Sequence, residues 1–298
     1  MGPHGEVQRA GVSAAGAARD GRAPTAPAPA YTIGSDATER DRLRSQTDEL
    51  HEHAVALLDR VGVQPGWRAL DLACGPRGVL ELLADRVGLD GTVAGLDINP
   101  VHVAQARELA RLHALHTVHV AEADARRTGF APASFELVHA RLLLVNIRDP
   151  QAVVAEMVRL VRPGGWVACE EADGGAMLCD PADRAYDRLM EAFRTLYERS
   201  GADVFIGRRV PRLLGDAGLT EIGVEARADV PPPGHPRRTV ILDLLRAMRA
   251  KVIDAGLLSA QELDQLDHAA REHLADPRTL VMPHLSFMAW GRRPTLAC

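Results

Sequence analysis

Apolar positions along the chain follow two alternating spacings. Ala69 to Leu72 is a short apolar run of strand type, and it ends in a turn holding Gly75, Pro76 and Gly78. Val79, Leu80, Leu82, Leu83 and Val87 then recur at helical spacing. The pattern repeats. Thr92 to Asp97 predicts a second strand, and Pro100 to about Ala114 a helix with proline in its first turn. Thr117–Asp124 and Ser134–Arg141 predict the third and fourth strands. A capped helix runs from Asp149 to Val161, then a turn, Arg162-Pro-Gly-Gly, and a fifth strand, Val167–Asp173. Strands alternating with helices of this length predict an α/β fold with a doubly wound, parallel sheet.

The pattern changes from Pro181. Ala185–Ser200 is an amphipathic helix carrying Leu189, Met190, Phe193 and Tyr197 on one side. Val204–Leu214 is a further element, Thr220–Val230 alternates like a strand, and Pro231–Pro236 is a stiff connector. Helices are expected over about 239–258 and 259–275, and a last strand over Leu280–Trp290. Upstream, residues 1–30 are rich in Ala, Gly, Pro and Arg without a signal-type apolar stretch, and a disordered tail is expected. An apolar stripe from Leu43 to Leu58 predicts helices within 31–66. The organisation expected is therefore tail (1–30), N-terminal lid helices (31–66), sheet core (67–175) and a helical cap with the remaining strands (176–298).

Strand, glycine turn and helix at 67–87 bring backbone close to a ligand at a helix N-terminus. Asp97 ends the second strand, 22 residues after Gly75. An acid there accepts hydrogen bonds from the two ribose hydroxyls of a nucleoside. The turn lacks the G-x-G-x-x-G spacing, and Asp71 before it would repel a pyrophosphate but suit a cationic amino group. An NAD-dependent oxidoreductase is disfavoured on both counts.

Asp71-Leu-Ala-Cys-Gly-Pro-Arg-Gly78, followed by Gly-Leu-Asp97, resembles the first two motifs of class I S-adenosylmethionine-dependent methyltransferases. Ala73 stands where that family commonly has its first glycine, and Arg77 displaces the last glycine by one. The resemblance implies a Rossmann-like, seven-stranded, mostly parallel sheet with an antiparallel last strand, plus N-terminal helices and an inserted helical cap. It implies S-adenosylmethionine as methyl donor, S-adenosylhomocysteine as product, and cofactor contacts from Asp71, Ala73, Gly75, Asp97, Ile98, Asp124 and Ala125, with Arg141 assisting. It further implies that N-terminal helices cover the cofactor, which makes Tyr31 and Gln46 candidates for lining the acceptor site. Asn146, Phe193 and Tyr197 are the other acceptor candidates. The Tyr-x-x-Gly start, the Cys-Gly-Pro-Arg-Gly turn and the acidic end of strand five are most similar to actinobacterial-type methyltransferases of small natural products, some acting on isoprenoid chains.

Glu170, Glu171 and Asp173 are expected to face one crevice at the end of strand five. Crowded carboxylates there make Glu170 the first candidate for a base, followed by Glu171 and His139. Alternatively these acids cap helices or pair with Arg141, Arg208 or Arg209. His102, His113 and His116 match no metal spacing and read as solvated helix surface. No metal site is expected, and Mg2+ would enter only with a diphosphate substrate.

A net charge of -5 and the missing base-methylation motif disfavour a nucleic-acid partner. No apolar run reaches the ~20 residues of a membrane helix. Four scattered cysteines read as reduced thiols of a cytoplasmic protein. The expected function is methyl transfer to a small, hydrophobic metabolite, with isoprenoid C-methylation, O- or N-methylation and non-catalytic cofactor binding as alternatives. A homo-oligomer is left open.

Overall fold

A seven-stranded sheet orders the molecule. The computed structural model describes residues 50–295, all within one compact unit. The expected tail, Tyr31, Gln46 and most of the expected lid lie outside the described residues. Helix α1 (His51–Val61) leads to β1 (Arg68–Leu72), α2 (Leu80–Val87), β2 (Thr92–Asp97), α3 (Pro100–Leu112), β3 (Val118–Glu122), β4 (Phe135–Arg141), α4 (Pro150–Leu160) and β5 (Val161–Asp173). Then follow β6 (Leu178–Asp180), α5 (Arg184–Ser200), α6 (Val210–Asp216), β7 (Thr220–Ala228), α7 (Val240–Ala247), α8 (Arg249–Asp254), α9 (Ala260–Ala275), β8 (Leu280–Met282) and β9 (Leu285–Arg292). The sheet order is β3-β2-β1-β4-β5-β9-β7. The pairs among β1 to β5 are parallel, and β9 runs antiparallel to both β5 and β7. This is the mostly parallel Rossmann-like sheet with an antiparallel last strand.

Local chemistry fixes the helix starts. The Asn99 side chain accepts from the Val101 amide and Pro100 occupies the first turn of α3. Asp149 caps α4 in the same way, with Pro150 next. Asp183 caps α5, and Ser259 with Glu262 forms a reciprocal capping box on α9. One face of the sheet buries Ala69, Leu137, Ala168 and Met288 against Ala54, Leu57 and Leu58 of α1 and Leu80 and Leu83 of α2.

Three elements differ from the sequence pattern. The expected turn Arg162–Gly165 lies inside β5, as an irregularity between the pairs Phe135–Val161 and Leu137–Trp166. A Cβ on Gly165 would stand 2.7 Å from the Glu136 carbonyl, so glycine permits that close approach. The expected strand 280–290 is two strands, because Pro283 cannot donate to a ladder. Its first part, β8, pairs antiparallel with the unexpected β6. The expected helix 239–258 divides at Met248 into α7 and α8.

β1 and β4 are neighbours, although β2 and β3 intervene in the chain. That reversal of strand order opens a crevice beyond the carboxyl ends of the strands.

Candidate cofactor and acceptor site

The glycine turn sits at the mouth of this crevice. Ala73, Gly75 and Gly78 all have left-handed φ, 54°, 59° and 53°. At Gly75 the position of a side chain is open space, whereas at Gly78 an added Cβ would collide with Asp71 Oδ2 and the Cys74 carbonyl. Gly78 is thus the closing glycine of the turn, one place later than the common motif. Asp71 is 2% exposed; Oδ2 accepts from the Val79 amide at 3.0 Å and Oδ1 lies 2.8 Å from His139 Nδ1. The sequence suggested that Asp71 meets a cationic amino group. Its contacts among the described residues are with the turn and the His139 ring.

Asp97 links the turn to the second strand. Its Oδ2 accepts from the Gly75 amide and its Oδ1 from the Asn99 amide, both at 2.8 Å. Next to it, Ile98 is 38% exposed. Open backbone at Gly75, a strand-end carboxylate with lone pairs beyond those two amides, and an exposed apolar side chain suit the turn, ribose diol and base of a nucleoside. The donor set thus fits S-adenosylmethionine.

Asp124 and Ala125 lie in the turn after β3, and the Ala123 amide bonds to the Asp97 carbonyl, which brings this turn beside β2. The Arg126 guanidinium and amide hold the Asp124 carboxylate. The hydrogen bond from Arg126 lowers its pKa below the ordinary value. Arg141 reaches the Gly78 carbonyl at 3.2 Å, on the closing end of the turn.

The three acids of β5 are not gathered in one crevice: Glu170 and its neighbour Glu171 point to opposite faces, and Asp173 is drawn to Arg208. Glu171 accepts from the amides of Leu143, Leu144 and Val145 at 2.8–3.2 Å. Burial pushes its pKa up to about 8 against the pull of those amides. Asp173 forms an ion pair with Arg208 and accepts from the Gly175 amide, the helix-cap and Arg208 alternative foreseen for it. Glu170 lies 3.1 Å from His139 Nε2 through Oε1. Among the described residues nothing donates to its Oε2. Asp71, His139 and Glu170 thus form a buried row across β1, β4 and β5.

Asn146, Phe193 and Tyr197 are brought together. Tyr197 donates its hydroxyl to Asn146 Oδ1 at 3.2 Å, and its ring lies 4.7 Å from that of Phe193. Asn146 follows the β4 end on a short 3-10 turn anchored by Glu171. The β4 end therefore meets the buried face of α5.

His102 corrects the sequence reading of solvated surface: it is 3% exposed, and its Nδ1 lies 3.5 Å from Asp97 Oδ1. Its place in the first turn of α3, just after the strand-end acid Asp97, was the signal. His113 is on the surface, paired with Glu81. The Cys74, Cys169 and Cys179 thiols are buried and unbridged. Burial, then the charges of Asp71 and Asp97, raises the Cys74 pKa, so the thiol in the turn stays protonated. Among the described residues no group of three His, Cys, Asp or Glu is arranged to hold a metal ion, and no helix is long and apolar enough to cross a membrane.

A methyltransferase-domain family matches residues 70–169, the span from β1 into β5. A demethylmenaquinone methyltransferase of Bacillus cytotoxicus is 30% identical over 175 residues, covering 55% of this chain and 74% of its own length. The chain belongs to the S-adenosylmethionine-dependent methyltransferases. Within that family, nocamycin O-methyltransferase of Saccharothrix syringae is 42% identical over 115 residues, 38% of this chain and 41% of that protein. The first curated relatives are spanned to 64%, 74%, 49% and 41% of their lengths. The methyltransferase fold is also that of a Bacillus halodurans protein, at TM-score 0.55 and 15% identity, covering 81% of this chain and 98% of the other.

Proposed function

We propose that this methyltransferase transfers a methyl group from S-adenosylmethionine to a small, hydrophobic metabolite. The link from the Gly75 amide to Asp97 carries the reading, because it sets an open turn beside a strand-end carboxylate. Asp97 takes the ribose hydroxyls, Ile98 and the Asp124–Ala125 turn flank the base, and Ala73 to Gly78 cradle the amino-acid part. Arg141 supports that cradle through the Gly78 carbonyl.

The bound cofactor supplies a methyl group already activated by its sulfonium charge. The protein's part is to exclude water and align the acceptor. Asn146, Phe193 and Tyr197 offer one polar group beside two aromatic rings, which suits an apolar acceptor held by one hydrogen bond. The names of the relatives support such a class, since one denotes a quinone methyltransferase and another an O-methyltransferase of nocamycin.

Glu170 is the acid of β5 best placed to serve the reaction. Glu171 is engaged by three amides and Asp173 by Arg208. The His139 ring holds Glu170 by Oε1, which makes it a fixed carboxylate and not a mobile one. That favours stabilising a developing carbocation, as in C-methylation of an isoprenoid chain, over deprotonating a phenol. O-methylation is the second reading, favoured by the similarity to nocamycin O-methyltransferase. Labelled methyl donor with isoprenoid diphosphates and with phenols separates them. Label in a non-exchangeable carbon position of the isoprenoid supports the first, label on a phenolic oxygen the second. Stoichiometric cofactor binding with no transfer to either panel contradicts both. An Mg2+ requirement is tested by repeating the diphosphate arm with chelator.

A further inference from the structure

His139 is wholly buried between two carboxylates. Its Nδ1 is 2.8 Å from Asp71 Oδ1 and its Nε2 is 3.1 Å from Glu170 Oε1. Only an imidazolium carries N–H on both nitrogens; a neutral ring would turn a lone pair toward one carboxylate. Burial opposes the charge, but the hydrogen bonds to Asp71 and Glu170 outweigh it and raise the pKa to about 9. The other titratable groups around the row are Cys74 and Asp97 at the turn, Cys169 and Glu171 on β5, and Arg141 on β4. The Cys74 and Cys169 thiols are held protonated by burial, Glu171 is turned toward the amides of 143–145, and Arg141 toward the Gly78 carbonyl.

The row is mechanically continuous. Asp71 holds the Val79 amide and leaves no room for a Cβ at Gly78. Rotation of Asp71 would break its bond to the Val79 amide, at the closing end of the turn that carries Gly75. At the other end, among the described residues, His139 is the only donor that fixes the Glu170 carboxylate.

We propose that His139 is a positioning residue for methyl transfer, a clamp that joins the cofactor turn to Glu170 and orients both carboxylates. The proposal rests on the cofactor site assigned above. It makes cofactor affinity depend on the protonation of one buried ring that does not touch the cofactor. Below the titration of His139 both carboxylates are held. Above it one is released, and the turn loosens.

The test combines imidazole 15N–1H spectra of the free protein with calorimetric titration by S-adenosylhomocysteine, for wild type and His139→Gln, from pH 7 to pH 10. Two ring N–H signals are expected for His139 at pH 7, one of them lost near pH 9. Wild-type affinity is expected to fall about tenfold through that transition, the effect of one charge-assisted hydrogen bond. His139→Gln is expected to bind about tenfold more weakly at pH 7 and to lack that inflection. The ligand's own amino group titrates alike in both proteins and cancels in the comparison. A single ring N–H at pH 7 overturns the proposal. So does a folded His139→Gln with wild-type affinity and the same pH profile. If the variant does not fold, a wild-type affinity that stays flat while the ring titrates overturns it, and a fall with the ring that is shared by 5′-methylthioadenosine, which has no amino group, supports it. A wild type that binds no S-adenosylhomocysteine at pH 7 marks failure of the cofactor site itself and takes the proposal with it.

Discussion

Gly75 donates its backbone N–H to Asp97 Oδ2 at 2.8 Å, across the gap between the glycine turn and the second strand. This bond fixes how far the turn stands from the carboxylate expected to hold the ribose. It also requires the left-handed φ of 59° at Gly75, which a glycine adopts at no steric cost.

The two turn glycines should respond differently to alanine. Gly75→Ala adds a methyl group in open space, so its stability cost is the left-handed backbone alone, about 1 kcal/mol. Gly78→Ala adds the same strain and a collision with Asp71, and should cost about 2–4 kcal/mol. Urea unfolding of both variants measures the difference, and equal losses would contradict the packing described for Gly78.

Glu171 is expected to matter for stability more than for cofactor binding. Glu171→Gln replaces one acceptor oxygen with a donor that faces the Val145 or the Leu143 and Leu144 amides. The loss should be about 1–3 kcal/mol in urea unfolding, with S-adenosylhomocysteine affinity unchanged. A variant as stable as wild type would show that the 143–145 turn does not depend on this carboxylate.

Stability should peak on the acid side of neutrality. His139 has a raised pKa, so its contribution is full below its ordinary value of 6.5 and is lost as pH rises through about 9. Glu171, raised to about 8 by burial, has the same sign: its contribution is full below 4.5 and is lost as pH rises through about 8. His284 is lowered to about 4, first by burial and then by Arg237. Its contribution is full above 6.5 and is lost as pH falls toward 4. Urea midpoints from pH 4 to pH 10 should therefore be level between about pH 4.5 and 6.5, where the Glu171 and His284 slopes offset, and fall on either side. His139→Gln should flatten the alkaline limb, and His284→Gln the acid limb.

Much of the architecture was legible in the chain. The first five strands and the last one follow from short apolar runs between helical periods, and the antiparallel direction of the last one from the resemblance to class I methyltransferases. Asp97, Gly75 and Ile98 stand together because strand ends and the turn between them are local features. What escaped depended on which strands are neighbours. Asp71 and His139 are 68 residues apart, and their pairing becomes visible only when β4 lies beside β1. The opposite facing of Glu170 and Glu171 follows from strand geometry, yet their partners, His139 and the 143–145 amides, come from β4 and the turn after it. The break between β8 and β9 was marked by Pro283, but its meaning required the partner strand β6.

The acceptor side is tested through Tyr197. Its hydroxyl bonds Asn146 Oδ1, and its ring packs on Phe193. Tyr197→Phe keeps the ring and removes one neutral hydrogen bond, about 1 kcal/mol. Once an acceptor is found, this variant should raise its KM several-fold and leave S-adenosylhomocysteine affinity unchanged. An equal loss of cofactor affinity would place Tyr197 at the donor site instead.

The most direct test of the cofactor site is calorimetric titration of S-adenosylhomocysteine into wild type and Asp97→Ala at pH 7. Saturable binding with one site per chain, weakened at least about 100-fold in a folded Asp97→Ala, is predicted from the loss of two charge-assisted hydrogen bonds to the ribose. A wild type that does not bind, or a folded variant that binds as tightly as wild type, would contradict the assignment of Asp97 and the turn at Gly75 as the cofactor site.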